Sequence, residues 1–557
     1  MEHDSLSELE ATGFEVELSG NDLEVADGGT ASVQLRLSHN PGTEVTVQVA
    51  HFSGNRDIAV TDGAELSFSS DNWDAWQDVT FVARSEHAGG LTGATFRVTT
   101  DVHPVVRELF VQQPSAASTQ SPAANAAQNE QPNIVLIFAD DIGYEVVSPL
   151  NEDKNTPILD RLSDEGMRFD NAFSNAVCTP SRVKIMTGLS NVRNFKHFGV
   201  LEEHQIAFGH QLKKVGYATA MVGKWQLGGG PDAPQHFGFD QSLLWQQTRP
   251  RTREGSEHDT RYPNPRFERN GVDRDFEELD FNDGEYGPDV LNDFVRDFME
   301  AQVASDTPFL VYYAMNLPHS PFDATPLSES WDPASPGSTL YLGPGNAETR
   351  NEHFKDMVAY IDTMVGRVED KLIELGVRDN TLILFIGDNG SERLIRSVWE
   401  GRTIPGGKRQ LDDNGLRVPF IANWPAVIAP NSASDRLVDL ADILPTFCEM
   451  AGAPLPGGRT IDGFSLLPEF RGADSPNRDF VYIYYLNKQV LARTADYMVR
   501  RNTNTSGGTL YHFPERFTMD EVPEGEVTPE QRALKAAMVD FLDSMIQERG
   551  SAFGPPL

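Results

Sequence analysis

Asn133-Ile-Val-Leu-Ile-Phe-Ala-Asp-Asp141 is the stretch that decides the fold. It is apolar at every position from Ile134 to Ala139 and then breaks on two aspartates. A strand that is apolar throughout, not at alternate positions, is buried on both faces, as in the centre of a parallel α/β sheet. Thr381-Leu-Ile-Leu-Phe-Ile-Gly-Asp-Asn389 has the same form, and Pro308-Phe-Leu-Val-Tyr-Tyr313 supplies a third such strand. Helical periodicity lies between them, most clearly from Glu352 to Leu375, with Gly376 placed to close the helix. In open α/β sheets ligands bind just past the carboxyl ends of the strands. Asp140, Asp141, Asp388 and Asn389 would meet there. Three carboxylates and an amide suit a hard divalent cation such as Ca²⁺ or Mg²⁺, and not zinc, which prefers nitrogen and sulfur. Without a cation the carboxylates would repel one another.

Outward from this core the texture changes. Residues 1–113 contain no lysine, five arginines and nineteen acids. Period-two runs recur there, at Ala31–Leu37, Glu44–Val49, Asp78–Val82 and Ala94–Val98, separated by Gly/Asn/Asp/Pro turns. This predicts an all-β sandwich, loosely similar to Calx-β and bacterial Ig-like modules. Residues 114–131, PSAASTQSPAANAAQNEQ, carry one charge and are expected to form a flexible linker. A catalytic α/β domain is expected over 132–475. A small α+β subdomain should follow over 476–557, with the strand-like VYIYYL and a helix near Leu534–Ile546.

The chain has 557 residues and a formal net charge of −37. That charge argues against a nucleic-acid partner and against docking on an anionic membrane. No apolar run reaches the ~20 residues of a membrane span. Two cysteines, Cys178 and Cys448, exclude a cystine framework. The N-terminus lacks a signal peptide's basic and apolar regions, so the expectation is either a cytoplasmic protein or an exported one whose leader has been removed.

Cys448, within Ile443-Leu-Pro-Thr-Phe-Cys-Glu-Met450, reads as a small core hydrophobe. Cys178 does not. It opens Cys178-Thr-Pro-Ser-Arg182, and Pro180 marks the start of a helix whose N-terminal N–H groups favour anions. CTPSRxxxxTG resembles the signature of the type I sulfatases, members of the alkaline-phosphatase-like superfamily, in which the cysteine is oxidised to formylglycine. The other landmarks follow in that family's order: Asp140-Asp141, Lys224 in GKW, His319 in NLPHSPF, Asp388-Asn389 in GDNG, and Lys408 in GGKRQLDDNGLRVPF.

The resemblance implies a formylglycine hydrate at residue 178 as nucleophile, held on Ca²⁺ by Asp140, Asp141, Asp388 and Asn389. It implies Arg182, Lys224 and Lys408 as cations for the sulfuryl oxygens, and His319 as donor to the leaving group. A maturation enzyme must generate the formylglycine. Gln226 stands where many members have histidine and cannot shuttle a proton; a variant subfamily acting on carbohydrate follows. Gln226, Arg193, Asn194, His197 and Trp245, with the basic run Arg249, Arg251, Arg253, are the candidate contacts to a sulfated saccharide. The expected protein is periplasmic or secreted and bacterial. Two alternatives stand beside it: a phosphonate monoester hydrolase or phosphodiesterase of the same superfamily, and a catalytically silent polysaccharide-binding protein.

Overall fold

The computed structural model describes residues 16–19, 22–25, 29–54, 58–83, 93–100, 107–112, 131–147, 151, 155–246, 261–271, 274–281, 283–338, 342–473 and 477–553. The chain divides into two compact units, Met1–Asn125 with Ala473–Pro476, and Ala126–Gly472 with Asn477–Leu557.

Among the described residues the first unit holds nine strands: β1 (Val16–Leu18), β2 (Asp22–Glu24), β3 (Thr30–Leu37), β4 (Val45–Gly54), β5 (Ile58–Asp62), β6 (Glu65–Phe68), β7 (Gln77–Ala83), β8 (Gly93–Thr100) and β9 (Arg107–Gln112). They form two sheets, β1-β3-β7-β5 and β2-β9-β8-β4-β6. Alternation decides which side chains face inward. Val33, Leu35 and Leu37 of β3, Val45, Val47 and Val49 of β4, and Val79, Phe81 and Ala83 of β7 are buried in one shared core. Phe81 of one sheet meets Phe96 of the other edge-on at 4.7 Å.

The second unit is built on a ten-stranded sheet. Its strands are β10 (Asn133–Ala139), β11 (Met167–Phe173), β12 (Ala218–Lys224), β13 (Gln241–Trp245), β14 (Arg266–Gly271), β15 (Arg274–Asp280), β16 (Phe309–Ala314), β17 (Thr381–Gly387), β20 (Phe420–Asn423) and β21 (Ser432–Asp439), with the hairpin β18 (Arg396–Trp399) and β19 (Arg402–Pro405) outside it. The order is β15-β14-β13-β12-β16-β10-β17-β20-β11-β21. β10 lies between β16 and β17 and is parallel to both. Ile134, Leu136 and Phe138 face one core, while Val135, Ile137 and Ala139 face the other. Leu382 and Leu384 divide from Ile383 and Phe385 in the same way. The continuous apolar runs therefore encode a strand with two buried faces.

The long helix spans Ala347–Glu374; Asn346 caps it by accepting from the backbone N–H groups of Glu348 and Thr349, and Gly376 follows at φ 71°. A third sheet, β22 (Val481–Tyr485), β23 (Gln489–Arg493), β24 (Tyr497–Asn502), β25 (Thr509–His512) and β26 (Asp520–Glu521), is antiparallel. One face packs on the helix Pro529–Phe553 through Met538, Leu542 and Met545, the other on Phe173, Leu416 and Leu437. That helix is longer than the expected Leu534–Ile546. The expected linker lies outside the described residues except Gln131. Gln131 is not linker: its side-chain amide donates to the carbonyls of Val215 (3.1 Å) and Ala451 (3.0 Å).

Candidate active site

β10 and β17 are adjacent and parallel, so their ends bring Asp140-Asp141 and Asp388-Asn389 together. The Asp388 N–H donates to the Ala139 carbonyl at 3.0 Å, and the Asp141 N–H donates to Asp388 Oδ1 at 2.9 Å. Asn389 Nδ2 donates to Asp141 Oδ1 at 2.8 Å. Ser391 links the two loops further, donating to Glu145 Oε1 (2.7 Å) and accepting from the Gly143 N–H (3.1 Å).

The helix Cys178–Thr187 enters this cluster at its first residue, not at Pro180. Cys178 Sγ lies 3.4 Å from Asp140 Oδ1 and 3.8 Å from Asp141 Oδ1. Three cations close the ring. Lys224 Nζ, at the end of β12, is 2.5 Å from Asp140 Oδ2, and Lys408 Nζ is 2.5 Å from Asp141 Oδ2. Arg182 donates to Asp388 Oδ2 at 3.1 Å and to the Lys224 carbonyl at 3.0 Å. It lies one helical turn after Cys178, on the same face. Lys408 Nζ also reaches His319 Nε2 at 3.1 Å. All these side chains are buried.

The electrostatics follow from that packing. Asp140 sits well below the usual carboxylate range: burial pushes it up, but Lys224 and the other nearby cations outweigh it. Asp388 is pushed up to about 8 by burial and the neighbouring Asp140 carboxylate. The Cys178 thiol is pushed well above its ordinary value by burial, then by Asp388 and Asp140. The helix N-terminus was expected to favour an anion there; two close carboxylates outweigh its partial charge. His319 falls to about 3, through burial and then the Lys408 ammonium. It is therefore a neutral ring, donating from Nδ1 to the Ser320 carbonyl at 2.6 Å and accepting at Nε2 from Lys408. His319 was expected to give the leaving group its proton; burial and the Lys408 ammonium disfavour its charged form.

The donors fit a hard divalent cation. Asp140, Asp141, Cys178 and His319 place ligand atoms within 4.8 Å of one another. Asn389 Oδ1 is buried with no hydrogen-bond partner. An orphaned carbonyl oxygen beside a carboxyl driven upward is what a missing cation would relieve.

Two further residues complete the site. Arg261 is buried, with Nη1 3.0 Å from His319 Nδ1 and its guanidinium 4.0 Å from the centre of the Trp245 ring. Glu145, pushed up to about 7 by burial, sits under the Asp140-Asp141 loop. Nothing in the sequence singles out Arg261. Glu145, four residues beyond Asp141, is likewise not singled out there. Strain marks the residues around the site: Asp141, Gln226 and Arg409, beside Lys408, are non-glycine residues in the left-handed region, at φ 65°, 54° and 73°.

The saccharide candidates divide. Arg193 is committed to Asp462 (3.0 Å) and Glu548, and Asn194 is wholly buried, donating to Thr187 Oγ1 (2.7 Å) and the Leu189 carbonyl (2.9 Å). Both are structural, because folding satisfied their polar groups internally. Trp245 is buried beneath Arg261 and offers no open ring to a sugar. His197 is exposed, on a loop tied to the helix by the Gly199 N–H donating to Thr179 Oγ1 at 3.1 Å. Gln226 is buried two residues past Lys224. Arg249, Arg251 and Arg253 lie outside the described residues. Cys178 and Cys448 are both free.

The mixed sheet, with carboxylates and a cysteine-headed helix at its strand ends, is that of the sulfatase and alkaline-phosphatase-like superfamily, as the comparisons with known proteins show. The sulfatase family model matches residues 132–453, and that of the N-sulphoglucosamine sulphohydrolase C-terminal region matches 407–521. N-acetylgalactosamine-6-sulfatase of Mus musculus is 31% identical over 397 residues, 67% of this chain and 72% of its own. Arylsulfatase A of Homo sapiens is 32% identical over 391 residues, 65% and 72% respectively. The crystal structure of Ps i-CgsB in complex with k-i-k-neocarrahexaose shares the fold, with a TM-score of 0.60 at 22% identity over 77% of this chain and 95% of that one. The phosphonate monoester hydrolase of Agrobacterium radiobacter does so at a TM-score of 0.53 and 18% identity, over 75% and 96%. The chain belongs to the sulfatase family and is a sulfuric ester hydrolase. Among the described residues no helix is long and apolar enough to cross a membrane.

Proposed function

We propose that the protein hydrolyses sulfate esters of a carbohydrate through residue 178 converted to formylglycine, with Ca²⁺ held by Asp140, Asp141, Asp388 and Asn389. The observation that carries this reading is the state of Cys178. Its thiol is buried, faces two carboxylates and is pushed well above its ordinary value, so as cysteine it is a poor nucleophile. Yet Arg182, Lys224 and Lys408 surround it. This is a site equipped for an oxyanion whose attacking group is not the thiol.

Formylglycine supplies a hydrated aldehyde as nucleophile, and the cation supplies charge that lowers its pKa. The chain's own residues do the rest. Lys224 and Arg182 hold the sulfuryl oxygens and stabilise the charge that grows on them. Lys408 carries the proton nearest the leaving oxygen, and neutral His319 fixes its direction through Nε2. The Ser320 carbonyl, accepting from Nδ1, fixes His319 in turn. Gln226 binds without moving a proton. A sulfated saccharide is the substrate class, as N-acetylgalactosamine-6-sulfatase's name states for that relative. An exported bacterial enzyme, matured by a formylglycine-generating partner, suits a polymer too large to enter a cell.

Intact-mass analysis of the Cys178 peptide should show a loss of roughly 18 Da as thiol becomes aldehyde. Excess chelator should abolish 4-nitrophenyl sulfate turnover, and Ca²⁺ should restore it. An active preparation with an unconverted thiol, or one indifferent to chelator and free of bound metal, would sink the mechanism. Faster turnover of an aryl phosphonate than of aryl sulfate would favour the phosphonate hydrolase reading. Lys408→Ala should slow sugar-sulfate hydrolysis by ~10²- to 10⁴-fold, and nitrophenyl sulfate, with its better leaving group, far less.

A further inference from the structure

The segment between the ligand Asn389 and the cation Lys408 reverses the charge of the chain. Residues 389–410 hold five cations and two carboxylates in a protein of net charge −37. The structure explains where that charge goes. Residues 391–396 and 405–410 run side by side, joined by the Lys408 N–H to the Ser391 carbonyl (2.9 Å) and the Gly406 N–H to the Ile395 carbonyl (3.0 Å). A cavity of about 370 Å³ lies between them, lined by Glu392, Arg393, Leu394, Arg396, Pro405 and Gln410, among others.

The cations of this segment are held in different ways. Arg402, at the far end of the hairpin, pairs with Glu515 at 2.6 Å. Arg396 instead donates to the carbonyls of Arg393 (2.8 Å) and Ile395 (2.7 Å), which orients its guanidinium without neutralising it. Arg393 is exposed, and among the described residues no carboxylate pairs with it or with Arg396. Beside them Leu394 is 47% exposed and presents an apolar surface. Glu392 is nearly buried, its Oε1 accepting from the Arg393 N–H at 3.0 Å. Guanidinium forks for an oxyanion, a carboxylate and an amide for hydroxyls, and an apolar wall for a ring's C–H face are the chemistry of a charged sugar.

We propose that this cavity is a second subsite, binding an oxyanionic substituent of the saccharide other than the sulfate being cleaved, with Arg393 and Arg396 as its specificity-determining residues. The proposal rests on the sulfatase reading, since the two chain segments that wall the cavity are the ones that carry Asn389 and Lys408, joined by the Lys408 N–H to the Ser391 carbonyl. It makes the preferred substrate a polyanionic oligosaccharide and not an isolated monosulfated sugar.

Calorimetry on the full chain tests it without turnover. The probes are a heparin-derived tetrasaccharide and N-acetylglucosamine 6-sulfate, each titrated into the native protein, Arg393→Glu, Arg393→Lys and Arg402→Ala. The selectivity for tetrasaccharide over monosaccharide should fall at least tenfold in Arg393→Glu, the usual weight of one hydrogen bond to a charged group. It should recover in part in Arg393→Lys and stay unchanged in Arg402→Ala. Desulfated and carboxyl-reduced tetrasaccharides then tell whether sulfate or carboxylate is the group held, by which one keeps the Arg393 dependence. Selectivity unmoved by Arg393→Glu, equally lowered by Arg402→Ala, or absent from the native protein overturns the subsite. Native protein with residue 178 converted but inert toward 4-nitrophenyl sulfate would overturn the sulfatase mechanism instead, leaving the calorimetric result to judge the cavity.

Discussion

Two helices that pack against each other each bury a free cysteine, and they could hardly be less alike. Cys178–Thr187 and Ile443–Ala451 both end on a left-handed glycine, Gly188 at φ 67° and Gly452 at φ 65°. The second helix is apolar apart from Thr446 and Glu449, and burial alone lifts Cys448 to about 12, with distant Lys214 opposing. The first is equally buried yet carries Arg182, Lys184, Thr179, Ser181 and Thr187. Each finds a partner: Lys184 meets Asp439 at 2.8 Å, and Thr187 donates to the Val183 carbonyl at 2.7 Å. Buried charges cost several kcal/mol each unless paired. A helix retains them where the charge has work to do, and here that work surrounds one thiol. The lesson is that burial makes either cysteine inert; only the neighbours separate a core filler from a residue awaiting conversion.

Substitutions on these two helices break or sharpen the contrast. Cys178→Ala should have the largest effect, lowering kcat/KM on 4-nitrophenyl sulfate by ~10⁴-fold or more, because the nucleophile itself is gone. Residual activity within tenfold of native would mean residue 178 is not the attacking group. Arg182→Met comes next, with kcat falling ~10²- to 10³-fold, as when one oxyanion donor is lost. Per folded molecule that loss should persist at saturating substrate; a change in KM alone would reduce Arg182 to a binding role.

Lys184→Met should separate structure from catalysis on the same helix. Removing one partner of a buried pair costs ~3–5 kcal/mol, and Arg478, 3.9 Å from Asp439, keeps the cost at the lower end. Thermal and urea unfolding should register it, while kcat of the folded fraction stays near native. Cys448→Ala should be smallest, about 1 kcal/mol of stability for a small core truncation, with turnover intact. If Cys448→Ala impairs turnover per folded molecule, the two helices are functionally coupled and the contrast fails.

Much of this was legible in the sequence. The runs Ile134–Ala139 and Leu382–Ile386 announced a strand buried on both faces, and their terminal Asp-Asp and Asp-Asn announced a hard-cation site. CTPSRxxxxTG, with five further landmarks in the family's order, carried the resemblance to the family. Other features were not legible. Arg193 and Asn194 sit a few residues past the catalytic helix, but whether a polar side chain faces a ligand or its own fold depends on partners distant in sequence, here Asp462, Glu548 and Thr187. Trp245 was read as an open ring, and only the folded chain lays Arg261 across it.

The sequence by itself determined three central strands of the sheet, four strands of the sandwich and the identity of the residues at the strand ends, because periodicity and local motif are written in neighbouring positions. Tertiary structure alone decided protonation and access. Whether His319 is charged, Cys178 nucleophilic or Asp388 in need of a cation depends on desolvation and on charges a few ångströms away. Those charges come from residues up to a few hundred positions apart in the chain.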